Sequence, residues 1–396
     1  MKINIFANTM IEEGMSGGNR IFIEYSKRWI KKGVKIRIFT SDAGRDLCLL
    51  NNLTKADFVI WNLPYKKEKF NTLELLLFYF FGLVMGSINA LKFSFSKEKE
   101  IIYSSSDYWP DSLPALLMKL KNFKNPWVAG FFLFAPKPWE KDSPYKGKRR
   151  LTGFLYWLMQ LPVYLAVKKF SQMVFVTSEP DVIKFLTKKR GKDKVLVIRG
   201  GVDIKLSNKV KEPKNKLYDA VFIGRFHPQK GVMELVDIWM KVVEVNHKAK
   251  LVMIGNGPLL AEVRSKICQY HLEKNIDLLG FLDGIPKIKI FKACKIVVHP
   301  AIYDSGGMAA CEAMAAGLPG VCFDLEALKT YYPKGMIKTP CFDFEGFAEN
   351  ILKLLEDKKL YKTIRKEAVE WAREWDWDCR AKFIYSKLNG LIYDLH

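Results

Sequence analysis

The 396-residue sequence contains no C-x-x-C pair and only five histidines, none in an H-x-E or H-E-x-x-H pattern. Its seven cysteines (Cys48, Cys268, Cys294, Cys311, Cys322, Cys341 and Cys379) are odd in number and scattered. That argues against a disulfide framework or a structural zinc and fits a reduced, cytoplasmic compartment. Low-complexity tracts are also missing, so a disordered or fibrous chain is not expected. Long apolar runs are scarce. Residues 75–91 and 151–167 are 17-residue stretches without a charge, short of the ~20 apolar residues a bilayer span needs. Gly82, Gly86, Ser87 and Asn89 interrupt the first and Pro162 the second; both read as buried or membrane-facing helices. The G-x-x-x-G spacing of Gly82 and Gly86 carries little weight in so short a run. No signal peptide is expected, because the opening residues read as a strand followed by polar residues.

Acid is in short supply, and mostly in the first half. Residues 1–200 hold 34 Lys and Arg against 17 Asp and Glu, and residues 201–396 hold 30 against 25. A basic field of this kind attracts nucleic acid, an anionic membrane or phosphate-bearing small molecules, and charge alone does not choose among them. Nucleic acid ranks last, since the interleaved aromatics and recognised modules are missing.

What is present is a regular alternation of β-rich runs and helical patterns, the signature of parallel α/β architecture. Strands are expected at 2–6, 34–39, 57–61, 101–104, 127–130, 173–176 and 195–198, and again at 220–223, 251–254, 277–279, 296–298 and 320–323. Between the two series lies a Lys-, Asn- and Pro-containing linker at 207–217. The expected domains are 1–200, 201–375 and a C-terminal helix at 376–396 packing back on the first domain. Asp376-Trp377-Asp378 imitates a metal-binding D-x-D, but it stands in a helical pattern rather than after a strand.

In doubly wound sheets ligands bind beyond the carboxyl ends of strands, and the chemistry-bearing residues follow strands here. After 220–223 comes Gly224-Arg225-Phe226-His227-Pro228-Gln229-Lys230-Gly231, where Arg225 and Lys230 set two cations beside a helix start, suited to a diphosphate. A solvated basic turn is the competing reading. After 251–254 comes Gly255-Asn256-Gly257-Pro258, a turn that allows backbone N–H groups near a ligand but is common without one. After 296–298 come His299-Pro300 and then Asp304-Ser305-Gly306-Gly307-Met308, with Glu312 eight residues beyond Asp304. That places a carboxylate at each end of about two helical turns, beside backbone N–H groups aligned with a helix dipole.

These residues resemble the glycosyl transferases group 1 family, also called glycosyltransferase family 4, whose hallmark E-x7-E precedes an A-M-A-x-G-x-P run. The resemblance extends to the two turns above and to Gly280-Phe281, and it is strongest over 220–325. It implies a GT-B architecture, two Rossmann-like doubly wound domains facing across a cleft, and a nucleotide-diphosphate sugar donor. It also implies retention of anomeric configuration, no cofactor and no divalent metal. Residue by residue, Arg225 and Lys230 would hold the diphosphate and Glu312 the ribose, with Gly255, Gly257 and Phe281 along the nucleotide. Asp304, Ser305, Gly306, Gly307 and Met308 would meet the transferred sugar and its phosphate. Gly17 and Gly18 look like the family's N-terminal glycine-rich loop, which implies donor binding, with backbone N–H groups near the donor phosphates or the acceptor, although Ser16 would equally cap an ordinary helix.

Two departures bear on mechanism. Asp304 replaces a glutamate and is one methylene shorter. After strand 127–130 many family members carry a histidine, where this chain has Phe131-Phe132-Leu133-Phe134. Asp107, after strand 101–104, is the candidate for polar chemistry near the reacting centre, with an exposed turn acid as the competing reading. The acceptor is expected on the N-terminal side, as a glycan or lipid-linked molecule. Lys137, Lys141, Lys146, Lys148, Arg149 and Arg150 before 151–167, with Lys168 and Lys169 after it, suggest peripheral attachment to the inner face of the cell membrane, with a buried helix and a solvated basic rim as the competing reading. A catalytically silent sugar-nucleotide binder is the alternative.

Overall fold

The computed structural model describes residues 1–11, 16–62, 72–140, 143–304 and 306–393. They fall into two compact units, one drawn from Met1–Ala135, Leu151–Gly200 and Trp377–His396, the other from Pro136–Arg150 and Gly201–Asp376. Residues 136–150, assigned by sequence to the N-terminal domain, are thus counted with the second unit. Tyr145, Lys146 and Arg149 find partners there, as described below.

The first unit is built on seven parallel strands: β1 (Lys2–Phe6), β2 (Lys35–Ser41), β3 (Asp57–Trp61), β4 (Glu100–Ser104), β5 (Trp127–Gly130), β6 (Met173–Val176) and β7 (Val195–Val197), in the order β3-β2-β1-β4-β5-β6-β7. Strands buried on both faces read as nearly continuous apolar runs, as MVFV in β6 does. Phe6, Phe39, Ile102, Trp127 and Ala129 form one face of the core with Ala115, Met118, Val163 and Val167 from the covering helices. The order reverses between β1 and β4, which makes their carboxyl ends the switch point. The last helix, Trp377–Tyr393, packs on helix Gly17–Ile30: Trp29 Nε1 donates to Ala381 O at 3.0 Å and Arg28 pairs with Asp378 at 2.6 Å.

The second unit carries six parallel strands: β8 (Tyr218–Ile223), β9 (Leu251–Ile254), β10 (Ile276–Gly280), β11 (Cys294–His299), β12 (Gly320–Phe323) and β13 (Met336–Thr339), in the order β10-β9-β8-β11-β12-β13. Side chains alternate between faces. Phe222, Met253 and Val298 meet Leu235, Trp239 and Ile351 on one side, while Val221, Val252 and Val297 meet Cys311, Met314 and Ala372 on the other. β13 was not expected. It is four residues long, contains Lys338 and lies at the sheet edge, so it carries no apolar period that a sequence window would register.

Candidate functional site

Because β8 and β11 are neighbours across the switch point, two turns far apart in sequence leave the sheet side by side. The first is bolted to the second through its backbone. Ile302 and Tyr303 N–H groups donate to Gln229 O at 3.1 and 3.2 Å. Gly231 adopts φ 64° so close to Pro300 that a Cβ there would strike its carbonyl oxygen. The result is a direct ion pair between Lys230 Nζ and Asp304 Oδ2 at 2.5 Å. His299 Nε2 lies 3.5 Å from the same oxygen. Burial would raise the Asp304 carboxyl, but the Lys230 charge and His299 outweigh it and hold its pKa at about 2. Arg225 is exposed at the start of the turn.

Glycines 255 and 257 are required for a reason the sequence did not show. A Cβ on Gly255 would meet the carbonyl oxygen of Gly224, and one on Gly257 would come within 2.5 Å of that of Phe226. Phe226 N donates to Asn256 O at 2.8 Å and Leu259 N to Phe226 O at 3.0 Å. The turn after β9 is therefore packed against the turn after β8, and its lack of side chains serves that contact. Phe281, after β10, is 57% exposed and free to stack.

Beyond Asp304, Gly306 N donates to Asp304 Oδ1 at 3.2 Å. Gly306 and Gly307 lie on the buried rings of Tyr331 and Tyr332, where any Cβ would collide. Gly307 caps helix Met308–Ala315, and Ser305 lies outside the described residues. Glu312, on that helix, receives Lys287 Nζ at 2.8 Å, and the same ammonium donates to Asp283 Oδ1 at 2.8 Å. Lys287 is a residue sequence reasoning missed. It comes from helix Gly284–Ala293 with its side chain only 7% exposed, and since Lys289 and Lys292 stand in the same helix, nothing in the sequence singled it out.

Segment 136–150 supplies further residues to the second unit, of which Tyr145 was missed and Lys146 and Arg149 were expected at a membrane. The Tyr145 ring sits 6.2 Å from that of His227, and Lys146 lies over Phe342. Arg149 reaches Glu262 at 2.7 and 3.0 Å. Burial and the cations of Arg225, Lys230 and Arg149 push His227 down to about 4, so it is neutral at physiological pH. The basic run expected to rim the apolar stretch is thus partly engaged elsewhere, and Lys141 lies outside the described residues.

In the first unit Ser16 Oγ accepts from Asn19 N at 3.1 Å, capping the helix that Gly17 opens. A Cβ on Gly18 would stand 3.0 Å from the Phe132 ring and 3.8 Å from Ser105 O, so this loop covers the ends of β4 and β5. Asp107 is not an exposed turn acid: it is 7% exposed and accepts from Gln160 Nε2 at 2.7 Å. Burial raises its carboxyl to about 6 against that hydrogen bond. A second buried acid, Asp111, escaped the sequence reading. It accepts from Asn8 N, Thr9 Oγ1, Ser105 Oγ and Ser106 Oγ at 2.6, 3.0, 3.1 and 2.5 Å, knitting together the loops after β1 and β4, and burial raises it to about 6 as well. Among the described residues no group of three His, Cys, Asp or Glu gathers as a metal site.

The family model for Glycosyl transferases group 1 matches residues 203–371, the segment that holds every turn just described in the second sheet. This segment belongs to the glycosyl transferases group 1 family. An uncharacterized glycosyltransferase of Methanocaldococcus jannaschii is 37% identical over 101 residues, covering 26% of each chain. N-acetyl-alpha-D-glucosaminyl L-malate synthase of Bacillus anthracis is 25% identical over 44% of this chain and 45% of its own. Phosphatidyl-myo-inositol mannosyltransferase of Mycobacterium leprae is 29% identical over 41% and 44%. These matches span about a quarter to a half of the curated relatives' lengths. Solved structures match over nearly the whole chain. Anabaena HepE in complex with UDP and glucose has a TM-score of 0.69 at 16% identity, covering 98% of this chain and 99% of its own. Sucrose-phosphate synthase from Thermosynechococcus elongatus has a TM-score of 0.72 at 16% identity, covering 99% of each. The fold of this chain is GT-B.

Proposed function

We propose that the chain transfers a sugar from a nucleotide-diphosphate donor to an acceptor hydroxyl. The observation that carries this reading is the convergence of Arg225, Lys230, Asp304 and the Gly306-Gly307 backbone on the switch point of the second sheet, with Glu312 one helix beyond. Arg225, Lys230 and the N-terminus of helix Met308–Ala315 would neutralise the departing diphosphate, Glu312 would accept the ribose hydroxyls, and Asp304 would face the sugar. Transfer would proceed with retention and without metal, the leaving phosphate oxygen taking the acceptor proton as the new glycosidic bond forms. Asp107 and the Gly17-Gly18 loop, at the mouth of the first sheet, would serve the acceptor side.

The acceptor is proposed to be a glycan or a lipid-linked molecule met at the inner face of the cell membrane. The support is the exposed apolar surface of helices Thr72–Lys92 and Arg150–Phe170, together with a matched relative named for phosphatidyl-myo-inositol. Thermal-shift screening against nucleotide sugars tests donor choice, since a tight donor raises Tm by mass action. Transfer assays on Lys230→Ala and Glu312→Ala test the assignment, with losses on the order of 10²–10³-fold expected for a lost transition-state contact. Nucleotide binding with no turnover in the unaltered chain would instead identify a silent binder.

A further inference from the structure

Helix Arg150–Phe170 has an outward face without a charge from Leu151 to Pro162. Phe154, Leu155, Leu158, Met159, Leu161 and Leu165 are all exposed, Leu165 by 56%. They recur at three- and four-residue steps, so they form one stripe, and the next step along it reaches Lys168 and Lys169. Helix Thr72–Lys92 repeats the pattern, with Leu76, Phe80, Val84, Ile88 and Leu91 outward and Lys92 at the end. Tyr79, Tyr108 and Tyr156 link the two helices through ring contacts of 5.8 and 6.4 Å. An exposed apolar surface of this extent marks a docking face.

Where the first stripe ends, a cavity of about 340 Å³ is lined by Lys168, Lys169, Lys188, Lys189, Arg190 and Lys194. No lining residue is acidic, and none of the six cations pairs with a carboxylate among the described residues. Arg190 is the buried member, 4% exposed. Its guanidinium donates to the carbonyls of Phe185 and Val167 at 3.2 and 3.1 Å and to Ser171 Oγ at 3.0 Å, while its Nε, buried too, has no partner. Six positive groups without a counter-charge repel one another, and burial already pulls the Arg190 pKa down to about 10. A multivalent anion relieves that repulsion and offers the unpartnered donors their acceptors.

The cavity also has a defined place. Ser171 and Gln172 immediately precede β6, and Lys194 immediately precedes β7. In a parallel sheet these residues mark the amino edge, opposite the carboxyl edge where Gly18, Ser105 and Asp107 lie. A ligand here is therefore not the donor and not the reacting end of an acceptor.

We propose that this cavity binds the phosphate of an anionic lipid headgroup, while the adjoining apolar stripe of helix Arg150–Phe170 enters the interface of the same bilayer. This rests on the membrane reading above. Basic side chains at a membrane surface add to apolar insertion, and each alone is a weak anchor. A defined pocket converts general attraction into preference for a phosphate at one place.

The test uses the full chain and vesicles of phosphatidylcholine with and without phosphatidylglycerol. The Lys168→Gln/Lys188→Gln/Lys189→Gln/Lys194→Gln variant is compared with Lys31→Gln/Lys32→Gln/Lys35→Gln/Lys55→Gln, which removes equal charge elsewhere on the unit. The cavity variant is expected to lose its affinity for phosphatidylglycerol vesicles by at least about tenfold, and the control by less than about threefold. Equal losses overturn the site and leave only a diffuse basic field. If the unaltered protein binds neither vesicle, the membrane reading falls. Calorimetric titration with glycerol 3-phosphate then decides the cavity separately: loss of binding in the cavity variant keeps an anion site without a lipid, and no binding by the unaltered protein removes it. Circular dichroism checks that both variants fold.

Discussion

Lys230 is held by a carboxylate that is one methylene shorter than the family's hallmark glutamate, and the pair has consequences for the proposed donor site. With no ligand, Asp304 neutralises half of the cationic clamp. Asp304→Asn frees Lys230 and should tighten binding of a nucleoside diphosphate by about threefold to tenfold, a charge-assisted contact regained. The same change should lower sugar transfer by 10²-fold or more, on the order of a lost transition-state contact. Calorimetry with the diphosphate and a turnover assay on one preparation check both signs. Under the proposed assignment Lys287, paired with Glu312, is a positioning residue. Lys287→Met is expected to raise the donor KM about tenfold, roughly 1.4 kcal/mol of lost binding, with kcat changed far less; an equal fall in kcat would speak against that role. The buried acids titrate in opposite directions. Asp304, at about 2 when folded, contributes stability above its ordinary carboxylate range that is lost as pH falls toward 2. Asp107 and Asp111, raised to about 6, contribute stability that is complete below pH 4 and lost as pH rises through 6. Melting curves from pH 4 to 7 should therefore show a downward trend that Asp107→Asn flattens.

At the scale of elements, the glycines separate by what surrounds them. Gly257 lies where a Cβ would strike the Phe226 backbone, whereas Gly280 has φ 70° and open space around it. Gly280→Ala should cost about 1–2 kcal/mol, the strain of a left-handed alanine. Gly257→Ala should cost more than that, because the turns after β8 and β9 must separate as well, and it should weaken donor binding. Denaturant unfolding of the two variants checks the order. The edge strand β13 and Lys287 share one reason for going unseen: each is a short polar-bearing piece whose role depends on a neighbour, not on a period along the chain. The strands that were legible, such as MVFV in β6 and LVMI in β9, lie inside their sheets and are apolar throughout.

At the scale of the molecule, chain order and compact unit do not coincide. The first unit is completed by Trp377–Tyr393, whose Trp377 meets Tyr25 edge-on at 5.8 Å and whose Ala381 carbonyl receives the Trp29 indole. Deleting the chain from Trp377 should expose Trp29 and unfold the first unit, while the second keeps its six strands and its cores. Limited proteolysis should then leave a resistant fragment beginning near residue 201.

The sequence by itself determined every described strand but β13, the order of the turns that follow them and the identities of Arg225, Lys230, Asp304 and Glu312. Those features are local: a strand's apolar run and a turn's glycines lie within a few residues of one another. Only the tertiary structure decided that Lys230 meets Asp304 directly, that Lys287 holds Glu312, that Asp107 is buried beneath Gln160 and that residues 136–150 join the second unit. Each of these depends on which loops the strand order brings side by side, and strand order follows from long-range packing that leaves no period in the sequence.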